Sequence, residues 1–141
     1  MRRGVTLTEL LIGLILVGLL ALLAVPRLAA LHDGVRVREE TVRLLAALDL
    51  ARGAAVRLGS NTRLTLSDSG YLLNAAPIDI LTELWRAPGP AANAVQLSGA
   101  GAPILFGPSG VAVGASNRTL ILTKGSVSRR IILSRLGRVS W

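Results

Sequence analysis

Residues 1–26 read MRRGVTLTELLIGLILVGLLALLAVP, and this stretch sets the architecture of the chain. Within it, Leu10–Val25 is sixteen consecutive residues without a polar side chain. The mostly apolar segment from Val5 to Val25 would be about 31 Å long as an α-helix, which is enough to cross the hydrocarbon core of a bilayer. The sequence therefore predicts a membrane-spanning helix over residues 5–25.

The carboxylate of Glu9 separates the possible explanations of this segment. An ordinary secretory signal would be cleaved after its apolar run, where Ala21 and Ala24 resemble the small residues of such a site. A plain membrane anchor would need only the apolar length. Neither explanation accounts for Glu9, because a carboxylate inside an apolar span costs about 2.5–3.5 kcal/mol and usually has a partner and a function.

The residues before and within the apolar run resemble the type IV pilin-like family. Its leader is short and basic and ends in glycine ahead of the run, as Arg2-Arg3-Gly4 does here. The resemblance implies a leader over residues 1–4, cleaved after Gly4 by a prepilin peptidase. It also implies N-methylation of the new N-terminus, Val5, where phenylalanine is usual in the family.

The resemblance extends to two further positions. After cleavage, Glu9 would be the fifth residue and Pro26 the twenty-second, the positions of the family's glutamate and of its helix-kinking proline. We expect Glu9 to act in assembly, because the amine created at Val5 and the Glu9 carboxylate of a neighbouring subunit would lower each other's cost of burial. The alternative is an acid placed near a helix N-terminus, where the helix dipole favours it.

The helical pattern continues past Pro26 over residues 26–59, now with one apolar face. Gly59, followed by Ser60 and Asn61, predicts the end of the helix. The face comprises Val37, Thr41, Leu44, Leu48, Ala51, Ala55 and Leu58. The sequence therefore predicts one helix from about Val5 to Leu58, apolar all round in its first half and amphipathic in its second.

Residues 60–141 predict a small head of antiparallel strands. Arg63–Ser67 and Tyr71–Leu73 alternate around a turn, and Arg118–Thr123 pairs with Arg129–Leu133 in a second hairpin. Residues 84–102 predict a loop with a short strand around residues 95–97, and residues 137–141 a strand that closes the sheet. The predicted fold class is α+β, with the long N-terminal helix packed on a β-rich head, as in the pilin fold.

The C-terminal part is similar to the GspH/FimT subgroup of that family. The similarity rests on Phe106, on the turn Gly107-Pro108-Ser109-Gly110, and on an apolar strand that ends in serine before Gly137-Arg138. It implies a minor pilin of a type IV pilus. The alternative is a GspH-like minor pseudopilin of a type II secretion system.

The charge of the chain points to an anionic partner. The net charge is +8, and seven bases but no acid follow Glu83. Such an asymmetry favours DNA, phospholipid headgroups or an acidic neighbouring subunit, although a solvated basic surface explains it equally well. Some FimT-type pilins take up DNA through a Gly-Arg-x-Arg step, which the resemblance places at residues 137–140, with Ser140 in place of the second arginine. The DNA-binding candidates are Arg129, Arg130, Arg135 and Arg138.

Trp141 is the aromatic residue beside those arginines. We expect its indole either to stack on a nucleic-acid base or to pack at the end of the hydrophobic core.

The sequence argues against catalysis. It has no cysteine and a single histidine, His32, which lies in the predicted helix. No phosphate loop or nucleophile motif is present, and we expect neither a cofactor nor a metal site. The expected partners are other pilins or pseudopilins, the prepilin peptidase, the inner membrane and DNA. The expected location is a single-pass inner-membrane protein whose head lies outside the cytoplasm, in a surface pilus or a periplasmic pseudopilus.

Overall fold

The computed structural model describes residues 6–75, 82–114, 118–134 and 136–141. The chain divides into two units, one ending at His32 and the other running from Asp33 to Trp141. A single helix, α1 (Leu7–Leu58), belongs to both. The predicted long helix is confirmed, with its N-terminal end two residues later than expected.

The two ends of α1 carry recognisable capping residues. Thr6 precedes the first helical residue, and its hydroxyl accepts a hydrogen bond from the backbone N–H of Glu9 at 3.3 Å. This is the N-cap arrangement that satisfies one of the free donors of the first turn. At the other end, Gly59 has a φ of +59°, the left-handed conformation that commonly ends a helix.

In the first unit, the side chains of α1 are exposed on every side. Leu14, Leu20 and Leu28 lie a few turns apart, and each is more than half exposed. By length and composition, this helix is able to cross a membrane. The first half of the helix is predicted to be apolar all round, and over its described residues none of its faces is buried.

In the second unit, α1 buries one face. Six of the seven predicted face residues are buried, together with Glu40, Ala47 and Ala54. The prediction for the seventh, Leu58, is wrong, because 52% of it is exposed. Leu58 is the last helical residue before Gly59, and it lies at the rim of an open cavity instead of in the core.

The head contains two antiparallel sheets. The first has the strand order β3-β2-β1-β5-β6 and the second β4-β7-β8-β9. The strands of the first sheet are β1 (Thr62–Leu66), β2 (Gly70–Ala75), β3 (Thr82–Pro88), β5 (Ile104–Phe106) and β6 (Ala112–Val113). Those of the second are β4 (Gln96–Ser98), β7 (Arg118–Lys124), β8 (Val127–Leu133) and β9 (Val139–Ser140), and a short 3₁₀ helix, Pro90–Asn93, precedes β4.

One hydrophobic core joins the second half of α1 to both sheets. Leu44 and Leu48 of α1 share it with Leu64 of β1 and with Leu122 and Ile131 of the second sheet. The strands contribute by alternation, since every second residue of β1 is buried, as expected for strands with one face on a core. Burying a side chain of this size stabilises the head by about 1.5–3 kcal/mol.

The prediction from sequence is wrong at β3. The pattern of residues 84–88 indicates a loop, but Thr82–Pro88 is a seven-residue strand. Two features of this strand prevent its recognition from the sequence. The strand lies at the edge of the sheet and buries little, and its pairing with β2 is irregular, with Leu73 opposite Trp85 but Asn74 opposite Glu83. The irregularity breaks the period of two on which strand recognition depends.

The other strand predictions are confirmed. The two predicted hairpins are β1–β2 and β7–β8. The short strand expected around residues 95–97 is β4, and the closing strand is β9, which pairs with the end of β8.

Candidate functional site

The N-terminal candidates are placed only in part. Gly4 and Val5 lie outside the described residues, so the predicted cleavage and methylation sites stay predictions. Glu9 is exposed and occupies the third position of α1. Thr6 and Glu9 thus have the spacing of a capping box, and the helix dipole favours a carboxylate there. Among the described residues, no cation lies within ion-pair distance of Glu9.

Pro26 lies inside the first half of α1. It has no N–H to donate to the carbonyl of Leu22, so one rung of the helical ladder is missing there. The kink predicted at this position stays a prediction.

Three of the four DNA-binding candidates are exposed, two on β8 and one just before β9. Arg129 and Arg130 lie on β8, opposite Leu122 and Ile121 of β7. Neighbouring residues of a strand point to opposite faces, yet both arginines are exposed, and the first buried residue of β8 is Ile131. The fourth candidate, Arg135, lies outside the described residues.

Arg138 precedes β9 directly and lies across from Ser134. The Ser134 N–H donates to the Arg138 carbonyl at 2.8 Å, and the Arg138 N–H donates to the Ser134 hydroxyl at 3.2 Å. Ser134 is four residues beyond Arg130, so alternation places Arg130 and Arg138 toward the same face of the sheet. In the described part of the chain, neither arginine has an acidic partner.

Trp141 does not close the core. Its side chain is 64% exposed, so the expectation of a terminal aromatic packed inside the head is wrong. The stacking alternative stays a prediction.

Three other bases of the C-terminal part are already engaged. Arg86 forms an ion pair with Glu83 at 2.8 Å, which lowers the pKa of the Glu83 carboxyl. Arg118 donates to the carbonyls of Ala100 and Ala102 and so holds the loop between β4 and β5. The ammonium of Lys124 donates to the carbonyl of Asn93 at 2.7 Å. The part of the chain after Glu83 therefore presents fewer unengaged cations than its composition indicates.

Lys124 belongs to a polar cluster that the sequence does not reveal. It lies 3.9 Å from the carboxylate of Asp33 on α1. Asn93 in turn donates to the buried carboxylate of Glu40 at 2.6 Å, and Arg43 pairs with the same oxygen at 2.9 Å. The cluster fastens the 3₁₀ helix and the tip of the β7–β8 hairpin to α1. The sequence gives one indication of this cluster, which is that Glu40 lies on the buried helix face, one residue before Thr41.

The hairpin tip lies close to the side chain of Asp33 on α1. A Cβ atom on Gly125 would lie 2.5 Å from the Asp33 carboxylate. Its φ of +54° is also in the left-handed region that favours glycine. The turn is therefore shaped for contact with the helix.

Tyr71 lies next to this cluster and is fully buried. Burial, and then the nearby Glu40 carboxylate, raise the pKa of its hydroxyl far above the usual value. The hydroxyl and one Glu40 oxygen have no hydrogen-bond partner within the described ranges. No group of three or more histidine, cysteine, aspartate or glutamate side chains in those ranges could hold a metal ion.

Comparisons with known proteins bear on the family and the fold of the chain. The sequence model of the family described as type II transport protein GspH matches residues 40–137. No curated protein matches the chain.

Two crystal structures of the type IV minor pilin FimU of Pseudomonas aeruginosa (strain PAO1) are similar to it at 19% sequence identity. The form in space group P21 aligns with a TM-score of 0.64 over 74% of this chain and 86% of that chain. The form in P65 aligns at 0.59 over 73% and 90%. The predicted α+β fold is thereby confirmed.

Proposed function

Because the chain belongs to the GspH family and has the pilin fold of a pilin-like or pseudopilin-like minor subunit, we propose that it is a minor pilin of a type IV pilus. In this proposal the first half of α1 anchors it in the inner membrane and later packs into the filament. A prepilin peptidase removes residues 1–4, and the head stays outside the cytoplasm. The subunit is structural and has no catalytic role.

One observation carries this proposal. The first half of α1 exposes apolar side chains on every side, from Leu7 to Leu31. A surface of that kind is stable only in lipid or among other apolar helices. A subunit that moves from the membrane into a helical filament needs a helix that suits both environments.

The alternative, a minor pseudopilin of a type II secretion system, is favoured by the description of the matching family. Both assemblies would use the same helix. Deleting the gene separates them, because loss of surface pili supports the first assembly and loss of secreted enzymes supports the second.

Processing is the first testable consequence. Protein purified from membranes should lack residues 1–4 and carry one methyl group on Val5, because the basic leader and Gly4 precede the apolar run. Intact-mass spectrometry measures both changes. A Gly4→Leu variant serves as the control and should keep its full mass. Cleavage near Ala24, or no cleavage in the parent chain, would contradict the assignment.

DNA binding is a second candidate function, favoured by the exposed guanidinium groups of Arg129, Arg130 and Arg138, which form no ion pair within the described ranges. Arginine side chains without acidic partners are available to phosphate oxygens. The exposed indole of Trp141 adds a surface on which an unpaired base can stack. Binding of this type has little sequence preference, since phosphate contacts carry no sequence information.

The full chain in detergent micelles should bind DNA weakly, with an affinity that falls steeply as salt rises. Replacing Arg130 and Arg138 by alanine should weaken binding and flatten the salt slope by about one for every phosphate that is no longer neutralised. Fluorescence anisotropy at two salt concentrations measures the slope. Arg52→Ala, an exposed arginine on α1, is the matched control and should change little. If the parent chain shows no affinity even at low salt, DNA uptake is excluded.

A further inference from the structure

The bulge in β3 turns two neighbouring side chains toward the same place. Leu73 pairs with Trp85 and Asn74 with Glu83, so Leu84 is the extra residue of the strand. In a regular strand, Leu84 and Trp85 would point to opposite faces. Here both line one cavity, which is the kind of redirection that bulges produce at the edges of sheets.

This cavity, which we name the Trp85 cavity, lies between the end of α1 and the edge of the first sheet. Its volume is about 280 Å³. The apolar part of its lining consists of Leu50, Ala54 and Leu58 of α1 and Leu73, Leu84 and Trp85 of the sheet. It opens to solvent, because Leu58 is 52% exposed and Leu84 is 41% exposed.

The volume limits what the Trp85 cavity can hold. Small-molecule sites usually have about 300–1,000 Å³, so this cavity is at or below the lower limit for a cofactor or metabolite. One large apolar side chain of a partner protein fits it better. Such anchors, buried in a pocket of the partner, commonly carry much of the energy of an interface.

Arg57 supplies the charge at this site. Its side chain lines the same cavity, and among the described residues it makes no ion pair or hydrogen bond to another side chain. A cation in the last turn of α1 also complements the helix dipole, which explains the charge but not the apolar cavity beside it. A guanidinium at the rim of an apolar pocket suits a carboxylate next to the anchor side chain.

Addition of a partner strand to β3 is disfavoured. Its bulge, its terminal Pro88 and the exposed ion pair of Glu83 with Arg86 are features that protect edge strands from further pairing. The cavity is therefore better suited to receive a side chain than the edge is to receive a strand.

We propose that the Trp85 cavity docks a different subunit of the same assembly, through a segment with a bulky apolar residue and an aspartate or glutamate within two positions of it. This inference rests on the proposed role as a filament subunit. Charge complementarity favours an acidic occupant. The full sequence carries +8, and the subunit stays basic after Arg2 and Arg3 are removed with the leader, so a second copy would be repelled while an acidic sibling would be attracted.

Photocrosslinking in intact cells tests the proposal. The full chain carries p-benzoylphenylalanine in place of Leu58, and crosslinks are scored on whole membranes, whether or not filaments form. We expect one sibling subunit to be captured, with the linked peptide containing an acid within two residues of an apolar side chain. Arg57→Glu should lower the yield roughly tenfold, as expected for reversing a charge at an interface.

Arg52→Glu is the matched control, since Arg52 is also exposed near the end of α1 but does not line the cavity. It should keep the parent yield to within about twofold. If Arg57→Glu does not accumulate, Arg57→Gln replaces it. Capture of lipid alone, of a second copy of this chain, or of a segment without an acid would overturn the proposal. So would equal yields from the Arg57 and Arg52 variants.

Failure of this proposal is separable from failure of the filament role. If sheared filaments contain the chain but no sibling is captured at Leu58, only the docking site is wrong. If no filament contains the chain, the filament role is wrong, and the membrane crosslinks still decide the occupant.

Discussion

Glu9→Gln is expected to leave the chain in the membrane but to lower its recovery in sheared filaments at least about tenfold. Removing a charge makes insertion easier. In the filament, however, the amine at Val5 of a neighbouring subunit would lose its partner, and an uncompensated charge in an apolar environment costs about 3–5 kcal/mol. Immunoblots of membrane and sheared-filament fractions measure both quantities.

The choice of glutamine separates charge from helix capping. Thr6 and Glu9 have capping-box spacing. In a capping box, glutamine in place of Glu9 caps the helix as glutamate does. The control is Thr6→Ala, which removes the hydroxyl that accepts the Glu9 N–H but keeps the carboxylate. It should cost about 0.5–2 kcal/mol of helix stability and reduce filament recovery much less. Equal recovery of Glu9→Gln and the parent chain would show that Glu9 acts only at the helix N-terminus.

Leu48→Ala is expected to destabilise the head by about 2–5 kcal/mol. Leu48 is almost completely buried, in the core shared by α1 and both sheets. A loss of this size is a large part of the roughly 5–15 kcal/mol that usually holds a domain together. Urea denaturation of the full chain in detergent, followed by the fluorescence of Trp85 and Trp141, measures the change.

Leu58→Ala is the matched variant for this test. It removes the same atoms from the same helix, but at an exposed position, so we expect a change within about 0.5 kcal/mol. Similar losses for the two leucines would mean that the end of α1 packs on the head more tightly than the structure indicates.

The comparison of these two leucines shows what helical periodicity predicts. The three- and four-residue spacing identifies Val37 to Ala55 correctly, because a buried helix face repeats with the turn of the helix. The same spacing includes Leu58, since periodicity says which face a residue occupies but not where the packed partner ends. Hairpins β1–β2 and β7–β8 are equally accessible to sequence reasoning, because both alternate regularly around a turn.

Contacts made by an irregular strand or a distant turn are not accessible in this way. The bulge at Leu84 removes the alternation that would have identified β3. The pairing of Lys124 with Asp33 joins residues far apart in sequence, and composition alone counts Lys124 among the free cations. By its place in the sequence, Arg57 is an ordinary solvated residue off the apolar face of the helix, and only the fold brings it to the cavity of Trp85.

The structure does not test the predicted processing site or one of the arginines. Gly4, Val5 and Arg135 lie outside the described residues. The roles of Gly4 and Val5 are predicted from the family resemblance, and that of Arg135 from the basic composition after Glu83. Arg129, Arg130 and Arg138 are exposed, as a binding role requires.

The continuity of α1 has a mechanical consequence. In the proposed filament, tension applied to the head would reach the first half of α1 through one helix, since Leu7–Leu58 is uninterrupted. Within the head, the load is shared by many side-chain contacts that would have to slide together, and no disulfide is needed, as the chain has no cysteine. In the first half of α1, the load would fall on the hydrogen-bond ladder of a single helix. Pro26 donates no hydrogen bond to that ladder. Under tension, the helix should therefore extend first in the turn around Pro26, before the head unfolds.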